Sequence, residues 1–254
     1  TESIAYFSGP IQWTIMVFML IGGINFSMYS YFIRGHLRSI LANVELRVFL
    51  MLLASIITCG VVVIPTGEGF EPLVRGITFQ VVSMGTSTGY VTTDYDAWPP
   101  VMRLGIVVLM CVGGCMGSTS GGMKVTRVIV FSKSIGRELH RMIYPRAVRP
   151  LRLGKRVLKP EVAANIMAFG SVFALGLVLG TFVMTSYGYD LETSVGAAIS
   201  AMSNMGPALG SLGPTQNWAH VPDGGKWLMA GLMLLGRLEM FSVLILFTPW
   251  AWRK

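Results

Sequence analysis

Two short polar segments, each carrying one glycine, follow apolar stretches of the sequence. They are Thr86-Ser87-Thr88-Gly89-Tyr90 and Ser203-Asn204-Met205-Gly206-Pro207. Glycine lets a backbone carbonyl point where a side chain would clash, and a ring of such carbonyls can replace the hydration shell of a potassium-sized ion. The residue types therefore favour cation coordination by backbone oxygens. The alternative is a pair of surface hairpins with glycine turns.

A third segment, rich in glycine, interrupts another apolar stretch. Residues 113–124 contain five glycines together with Ser118, Thr119 and Ser120. We expect this segment to break a helix, either as a flexible gate or as a site where small residues let helices pack closely. A nucleophile elbow is not expected, because Thr119 occupies the central position and no histidine accompanies it.

Arg237 is a charged residue within the apolar stretch Trp227–Trp250, and Glu239 follows two residues later. An ionisable residue at such a position is a functional candidate. Residues two apart on a helix do not face each other, so a simple Arg–Glu pair is not expected. Arg237 is therefore either a functional residue or a structural one held by carbonyls of residues 117–122.

The composition indicates the environment of these segments. The 254 residues are 53% hydrophobic and 13% charged, with a mean hydropathy of +0.62, whereas a soluble domain carries about a quarter charged residues. This excludes a soluble enzyme and a disordered tail and predicts an all-α polytopic membrane protein. The start at Thr1 lacks a signal-peptide pattern, so we expect the chain to be part of a longer one.

The apolar segments fall into two length classes. Leu73–Met84 and Leu191–Met202 are too short to cross a bilayer and predict re-entrant half-helices. The C-terminal end of such a helix is electrically negative and suits a cation, while Glu71-Pro72 and Asp190–Thr193 suit the N-terminal ends. The longer segments predict spans: Trp13–Ile33, Val48–Ile64, Val101–Cys115 continuing to Phe131, Ala163–Met184 and Trp227–Trp250.

Charge predicts the orientation of the chain in the membrane. Residues 124–159 contain eleven Lys and Arg against one acid, Glu138, and the acidic connections alternate with the basic ones. Basic connections face the cytoplasm, and the six tryptophans fall at predicted span ends. The basic run lacks interleaved aromatic residues, so it predicts contact with membrane lipid or a partner subunit and no binding of nucleic acid.

The cysteines and histidines predict neither disulfides nor a metal site. The chain has an odd number of cysteines, and all three, Cys59, Cys111 and Cys115, lie in apolar sequence. Cys111 and Cys115, at i and i+4, would share a helix face, but the three histidines fall in distant polar loops.

The sequence contains an internal repeat. Residues 83–89 align with residues 200–206 at an offset of 117, and Leu109–Gly114 aligns with Leu232–Arg237 at an offset of 123. The repeating unit is a span, a short helix, a glycine-bearing loop and a second span. The chain holds two complete copies, and its first residues resemble the end of an earlier copy.

Four motifs carry a family resemblance: Thr86-Ser-Thr-Gly-Tyr90, Gly113-Gly-Cys-Met-Gly-Ser-Thr-Ser-Gly-Gly-Met-Lys124, Asn204-Met-Gly-Pro207 and Leu234-Leu-Gly-Arg-Leu-Glu239. They resemble potassium-uptake membrane subunits of the Trk/Ktr/HKT superfamily, in particular the bacterial Trk type. The resemblance implies four M1–P–M2 repeats around a pore. Residues 1–34 would be the M2 end of an upstream repeat, 35–131 the third repeat, 132–161 a basic cytoplasmic loop and 162–254 the fourth repeat.

The resemblance also implies site residues. Gly89 and Gly206 would be two of four filter glycines, with filter segments 86–90 and 203–207. The implied K⁺ ligands are Ser87, Thr88, Gly89, Asn204, Met205 and Gly206. The implied gate comprises Gly113, Gly114, Gly117, Ser118, Thr119, Ser120, Gly121, Gly122 and Arg237.

The implied function is potassium uptake across the bacterial inner membrane, without enzyme activity or covalent cofactor. The alternative is a Na⁺-selective or K⁺/Na⁺-symporting relative. A membrane enzyme would need a Ser/His or paired-Asp constellation that the sequence lacks. The family implies a homodimer and a cytosolic nucleotide-binding regulatory subunit, with ATP/ADP or NAD bound by that partner because this chain has no Gly-rich phosphate loop.

Overall fold

The computed structural model describes residues 3–65, 69–146, 150–154 and 156–238, together with residues 245, 248 and 252. The fold is almost entirely helical, which confirms the predicted all-α class. One short antiparallel hairpin pairs β1 (Arg152–Leu153) with β2 (Arg156–Val157). The helices of the described residues are α1 (Gly9–Gly23), α2 (Ser27–Ile33), α3 (Leu37–Leu41), α4 (Val44–Val63), α5 (Phe70–Gly85), α6 (Pro100–Val112), α7 (Val125–Ile143), α8 (Pro160–Ser186), α9 (Leu191–Ser203) and α10 (Asp223–Arg237).

Helices α4 and α8 are long and apolar enough to cross a membrane. The predicted span over Trp13–Ile33 is broken in the structure, because α1 and α2 are separate helices bent by 107°. The Asn25 side chain accepts a hydrogen bond from the Ser27 amide at 2.8 Å and so caps the start of α2. The carbonyls of Gly22 and Gly23 at the end of α1 are hydrogen-bonded by Thr119 and Cys115. The bend is therefore held by contacts with a distant segment.

Helices α5 and α9 are the two predicted short helices. At 1.5 Å per residue, their 16 and 13 residues reach about 24 and 20 Å, which is less than a bilayer core of about 30 Å. Residues 76–77 and 79–85 of α5 are buried, and so is nearly all of α9. The Asp190 side chain caps α9 by accepting from the Thr193 amide at 3.3 Å, and hydrogen bonding, first from the Thr193 side chain and then from backbone amides, lowers the pKa of Asp190. Glu71 lies in the first turn of α5, whose N-cap is Gly69.

The predicted interruption after the third apolar stretch is present, since α6 ends at Val112 and α7 begins at Val125. Cys115 lies in the interruption, so the prediction that it shares a helix face with Cys111 is wrong. The expectation of a basic loop over residues 132–161 also needs correction. Much of that segment is helix, because α7 buries Val125, Ile129 and other residues at helical spacing and continues to Ile143, which places His140 in a helix and not in a loop.

Two large apolar clusters hold most of the described helices together, and a smaller third cluster joins α1 to α5. The first joins α4, α5 and α6 through residues such as Phe49, Met84 and Leu109. The second joins α8, α9 and α10 and includes Phe173, Met202 and Leu232. Ile199, Met205 and Leu209 lie in the second half of the sequence but belong to the first cluster. The two clusters therefore interlock around the ends of α5 and α9.

Candidate functional site

Helices α5 and α9 end in the same backbone turn. Ser87 and Asn204, 117 residues apart, both have φ of 55°, and Gly89 and Gly206 have φ of 77° and 107°. The amide of Thr88 donates to the Ser83 carbonyl at 2.9 Å, and the amide of Met205 donates to the Ser200 carbonyl at 3.1 Å, again with an offset of 117. The sequence repeat is thus a repeat of backbone geometry. Neither segment is a surface hairpin, because each follows a buried helix.

The two glycine-bearing loops touch each other through their backbones. A Cβ added at Gly89 would overlap the carbonyl oxygen of Met205 and would lie 3.2 Å from Cδ of Pro207. With a positive φ as well, this position accepts only glycine. A Cβ at Gly206 would meet nothing within 4 Å. Gly89 is therefore the point at which the two predicted filter segments meet.

The polar side chains of these loops bond back into the protein. Thr86 Oγ1 donates to the Val82 carbonyl at 2.8 Å, and Ser83 Oγ donates to the Tyr90 carbonyl at 2.7 Å. In the second loop, Asn204 Nδ2 donates to the Met233 carbonyl at 3.0 Å, and Ser203 Oγ donates to the Met110 carbonyl. These bonds fix the loop conformation and engage these polar side chains within the protein.

One implied ligand carbonyl already has a protein partner. The Gly206 carbonyl accepts a hydrogen bond from the Trp218 indole Nε1 at 3.1 Å. The sequence placed Trp218 only in an aromatic belt, so its contact with the loop was missed. Its aromatic ring gave no signal for this role, because the contact depends on how residues 207–218 fold back.

The interruption between α6 and α7 lies against both loops. Ser120 is 4% exposed, and its Oγ pairs with Ser87 Oγ at 2.8 Å and accepts from the Gly114 amide at 2.7 Å. A Cβ at Gly121 would overlap the Ser203 carbonyl oxygen. The structure thus brings the predicted gate segment into contact with both predicted filter segments.

The interruption is also tied to two elements that the sequence did not implicate. The amide of Phe26 donates to the Gly117 carbonyl at 3.1 Å, and the Thr119 amide donates to the Gly22 carbonyl at 3.2 Å. The carboxylate of Glu45 on α4, 7% exposed, accepts from the Met116 amide at 2.5 Å. Within the segment, Ser118 Oγ donates to the Cys115 carbonyl at 2.6 Å. The only sequence signal for Glu45 was an acid just before the apolar run Val48–Ile64, which did not indicate its partner.

Arg237 ends α10 and contacts the interruption directly, because its Nη1 donates to the Thr119 carbonyl at 2.9 Å. A cavity of about 200 Å³ lies there, and its lining includes residues 118–122, Lys124, Arg127 and Arg237. The Arg127 guanidinium lies 3.8 Å from the centre of the Phe169 ring. Both sequence interpretations of Arg237 fit this position, since it is held by a loop carbonyl and also borders a cavity. Glu239 lies outside the described residues, as do Trp250, Arg253 and Lys254.

A second set of contacts joins the two halves on the other side of the loops. Tyr95, fully buried, donates from its hydroxyl to the Ala208 carbonyl at 2.6 Å. Arg103 on α6 forms an ion pair with Glu192 on α9 at 2.6 Å. Burial raises the pKa of Asp96 to about 6, with the Gly210 amide opposing the shift. These outer contacts hold the segments that follow each glycine loop.

Comparisons with known proteins assign the family. The profile of the cation transport protein family TrkH matches residues 72–252. The Trk system potassium uptake protein TrkI from Halomonas elongata is 36% identical over 98% of this chain and 51% of its own length. TrkH from Escherichia coli is 32% identical over 99% of this chain and 53% of its own length.

The fold matches as well. The crystal structure of the potassium transporter TrkH from Vibrio parahaemolyticus aligns with a TM-score of 0.90 at 31% identity, covering 99% of this chain and 55% of that chain. This chain spans about half the length of the curated relatives it matches. These relatives are named as transport proteins and not as enzymes. The chain belongs to the TrkH family of cation transport proteins.

Proposed function

We propose that this chain supplies half of a K⁺ uptake pathway through the bacterial inner membrane. The observation that carries the proposal is the pair of matched turns at the ends of α5 and α9, which meet where Gly89 abuts the Met205 carbonyl. Both helices direct their electrically negative C-terminal ends toward these turns. A dehydrated cation is stable at such a point, because helix ends and backbone carbonyls together replace its water.

The K⁺ ligands in this proposal are backbone carbonyls of the two filter segments, residues 86–90 and 203–207. Ser87, Thr88 and Gly89 act from the first segment, and Asn204, Met205 and Gly206 act from the second. Trp218 orients the Gly206 carbonyl through its indole hydrogen bond. The remaining carbonyls of a closed ring come from repeats outside this chain, so that residues 35–131 and 162–254 contribute the third and fourth repeats.

Residues 113–122 act as the gate in this proposal, together with Arg237. The segment occupies the space between the filter loops and the cavity bordered by Arg237. Opening the pathway would break the Ser87–Ser120 contact and the bond from Arg237 to the Thr119 carbonyl. K⁺ moves down its electrochemical gradient, without covalent chemistry. A K⁺/Na⁺ symporter or a Na⁺-selective relative is the alternative.

The proposed assembly follows the family. Two copies form a homodimer, the basic segment 124–159 faces the cytoplasm, and a cytosolic regulatory subunit of the Trk type docks there. ATP/ADP or NAD binds to that subunit. The charge of the segment supports this orientation, since eleven of its residues are Lys or Arg.

The test is Rb⁺ uptake and K⁺-limited growth in cells that lack their own K⁺ importers. These cells express the chain within its full natural reading frame. Gly89→Asp places a side chain into the Met205 carbonyl and should abolish uptake, whereas Arg237→Ala should alter the rate. Gly231→Ala is the matched control, because a Cβ there meets nothing within 4 Å.

Negative results in this test have two different consequences for the proposal. If membrane-inserted wild-type protein moves Na⁺ but not Rb⁺, the Na⁺-selective alternative replaces K⁺ uptake. If it moves neither ion, or if Gly89→Asp transports normally, the filter assignment is wrong.

A further inference from the structure

A second cavity lies away from the ion pathway, between α7 and the segment that enters the β-hairpin. Its volume is about 390 Å³, which falls within the range of about 300–1,000 Å³ typical of small-molecule sites. Residues from the helix and from the segment 150–152 face each other across it. The lining residues are Lys133, Gly136, Arg137, Pro150, Leu151 and Arg152.

The cavity is strongly cationic. Among the lining residues that the structure describes, Lys133, Arg137 and Arg152 are basic and none is acidic. Lys133 Nζ donates to the Arg152 carbonyl at 2.8 Å, which fixes the ammonium group at the cavity wall. Arg137 forms an ion pair with Glu138 at 3.1 Å, and Glu138 is the single acid between Lys124 and Lys159. The single carboxylate of Glu138 cannot balance the positive charges of Lys133, Arg137 and Arg152, so the surroundings of the cavity keep a net positive charge.

The opposite face of α7 is apolar and exposed. That face exposes a continuous apolar stripe formed by Phe131, Ile135, Leu139 and Met142. An exposed apolar stripe beside basic residues is typical of a helix at a membrane surface. The cationic cavity and the exposed apolar stripe thus lie on opposite faces of α7, beyond its buried start at Val125.

We propose that this cavity binds a phosphate group. Lys supplies a compact positive charge and Arg supplies paired N–H donors that match phosphate oxygens. The same chemistry has two possible sources, the headgroup of an anionic phospholipid and free inorganic phosphate. The site is separate from the filter and the gate, so it does not depend on the proposed transport function.

The experiment measures binding to the full-length natural protein purified in detergent and stripped of lipid. Inorganic phosphate is titrated calorimetrically, and phosphatidylglycerol is compared with phosphatidylcholine by native mass spectrometry. Binding of inorganic phosphate assigns a free-phosphate site, and binding of phosphatidylglycerol alone assigns a headgroup site. Neither ligand binding to the wild-type protein would overturn the proposal.

Two kinds of variant assign the binding to this cavity. Lys133→Gln with Arg152→Gln should weaken it by roughly fivefold for each charge removed. Arg141→Gln is the matched control, since Arg141 lies on the same helix outside the cavity lining. A loss of affinity in Arg141→Gln equal to that of the double variant would contradict the assignment.

Gly136→Leu separates binding from folding. A Cβ at Gly136 meets nothing within 4 Å, and leucine is a better helix former than glycine. This variant keeps every charge, fills the cavity and should weaken phosphate binding at least fivefold without lowering the melting temperature. Unchanged affinity in Gly136→Leu would show that the ligand binds elsewhere and would overturn the proposal.

Discussion

At the scale of single residues, Gly89 and Gly206 are equivalent in sequence but not in surroundings. A side chain at Gly89 would overlap the Met205 carbonyl, whereas one at Gly206 would meet open space. Gly89→Ala therefore has both a steric and a conformational cost, and Gly206→Ala has only the strain of a positive φ, of order 1–3 kcal/mol. We expect Gly89→Ala to reduce Rb⁺ uptake more than tenfold and Gly206→Ala to reduce it by a smaller factor. Uptake per inserted protein, with Gly231→Ala as control, measures this, and the reverse order would contradict it.

Asp96 gives a pH-dependent prediction at the same scale. Burial raises its pKa from 3.8 to about 6, so the folded protein holds the proton more tightly than the unfolded chain. The stabilising contribution is complete below about pH 4 and is lost as the pH rises through 6. Because Asp96 is only partly buried, we expect Asp96→Asn to stabilise the protein above pH 6 by about 1 kcal/mol and to have little effect near pH 4.

Thermal unfolding of the full-length protein between pH 4 and pH 8 measures the effect of Asp96→Asn. The control is Asp223→Asn, which changes a carboxylate that is 93% exposed in its side chain. A stabilisation by Asp96→Asn that is equal at both pH limits would contradict the assigned protonation.

The sequence predicted the glycine positions but not the residues that hold them. Gly89, Gly206 and the glycines of 113–122 stand out because they cluster with small polar residues in apolar sequence, and the family motifs fall on the same positions. Glu45 and Trp218 gave no comparable pattern. Each acts on a backbone group distant in the chain or across a loop, as when Glu45 accepts from the amide of Met116.

At the scale of elements, one hydroxyl of the interruption between α6 and α7 contacts both a proposed filter segment and the backbone of the interruption itself. Ser120 Oγ contacts Ser87 Oγ and the Gly114 amide, and its removal leaves a buried amide without that acceptor, at a cost of about 1–3 kcal/mol. If this closed arrangement blocks the pathway, Ser120→Ala favours opening. We expect a several-fold higher Rb⁺ uptake with the K⁺ over Na⁺ preference retained.

Rates of Rb⁺ and Na⁺ flux in vesicles test Ser120→Ala. Ser132→Ala is the matched control, because Ser132 is exposed on α7 and donates to the Val128 carbonyl of its own helix at 3.0 Å. Unchanged or lower uptake in correctly inserted Ser120→Ala protein would contradict the gating role.

Element prediction succeeded where the signal is local and failed where it depends on packing. The lengths of α5 and α9 and the interruption at residues 113–124 follow from apolar runs and glycine content. The bend between α1 and α2 does not, because its backbone groups bond to Cys115, Gly117 and Thr119. The basic content of residues 132–161 suggested a loop, although apolar residues at helical spacing extend α7 to Ile143.

At the scale of the whole molecule, the two repeats form one interlocked body. Tyr95 bonds to Ala208, Arg103 pairs with Glu192, and Ser203 bonds to Met110. Contacts of this kind on both sides of the filter loops hold Gly89 against Met205. The relative position of the two loops thus depends on side chains from both repeats and not on either repeat alone.

This interlocking leads to a prediction about the chain by itself. In the proposed pathway, two filter loops supply carbonyls to only part of the circumference around an ion, and an incomplete ring leaves the cation in contact with water or lipid on the remaining side. We therefore expect the 254-residue chain, reconstituted alone in liposomes, to give no selective Rb⁺ flux. The same chain preceded by the upstream part of its reading frame should give flux that Gly89→Asp abolishes. Robust K⁺-selective flux from the 254-residue chain alone would mean that copies of this half assemble into a complete ring, and the proposed division of the filter between two halves of one polypeptide would then be wrong.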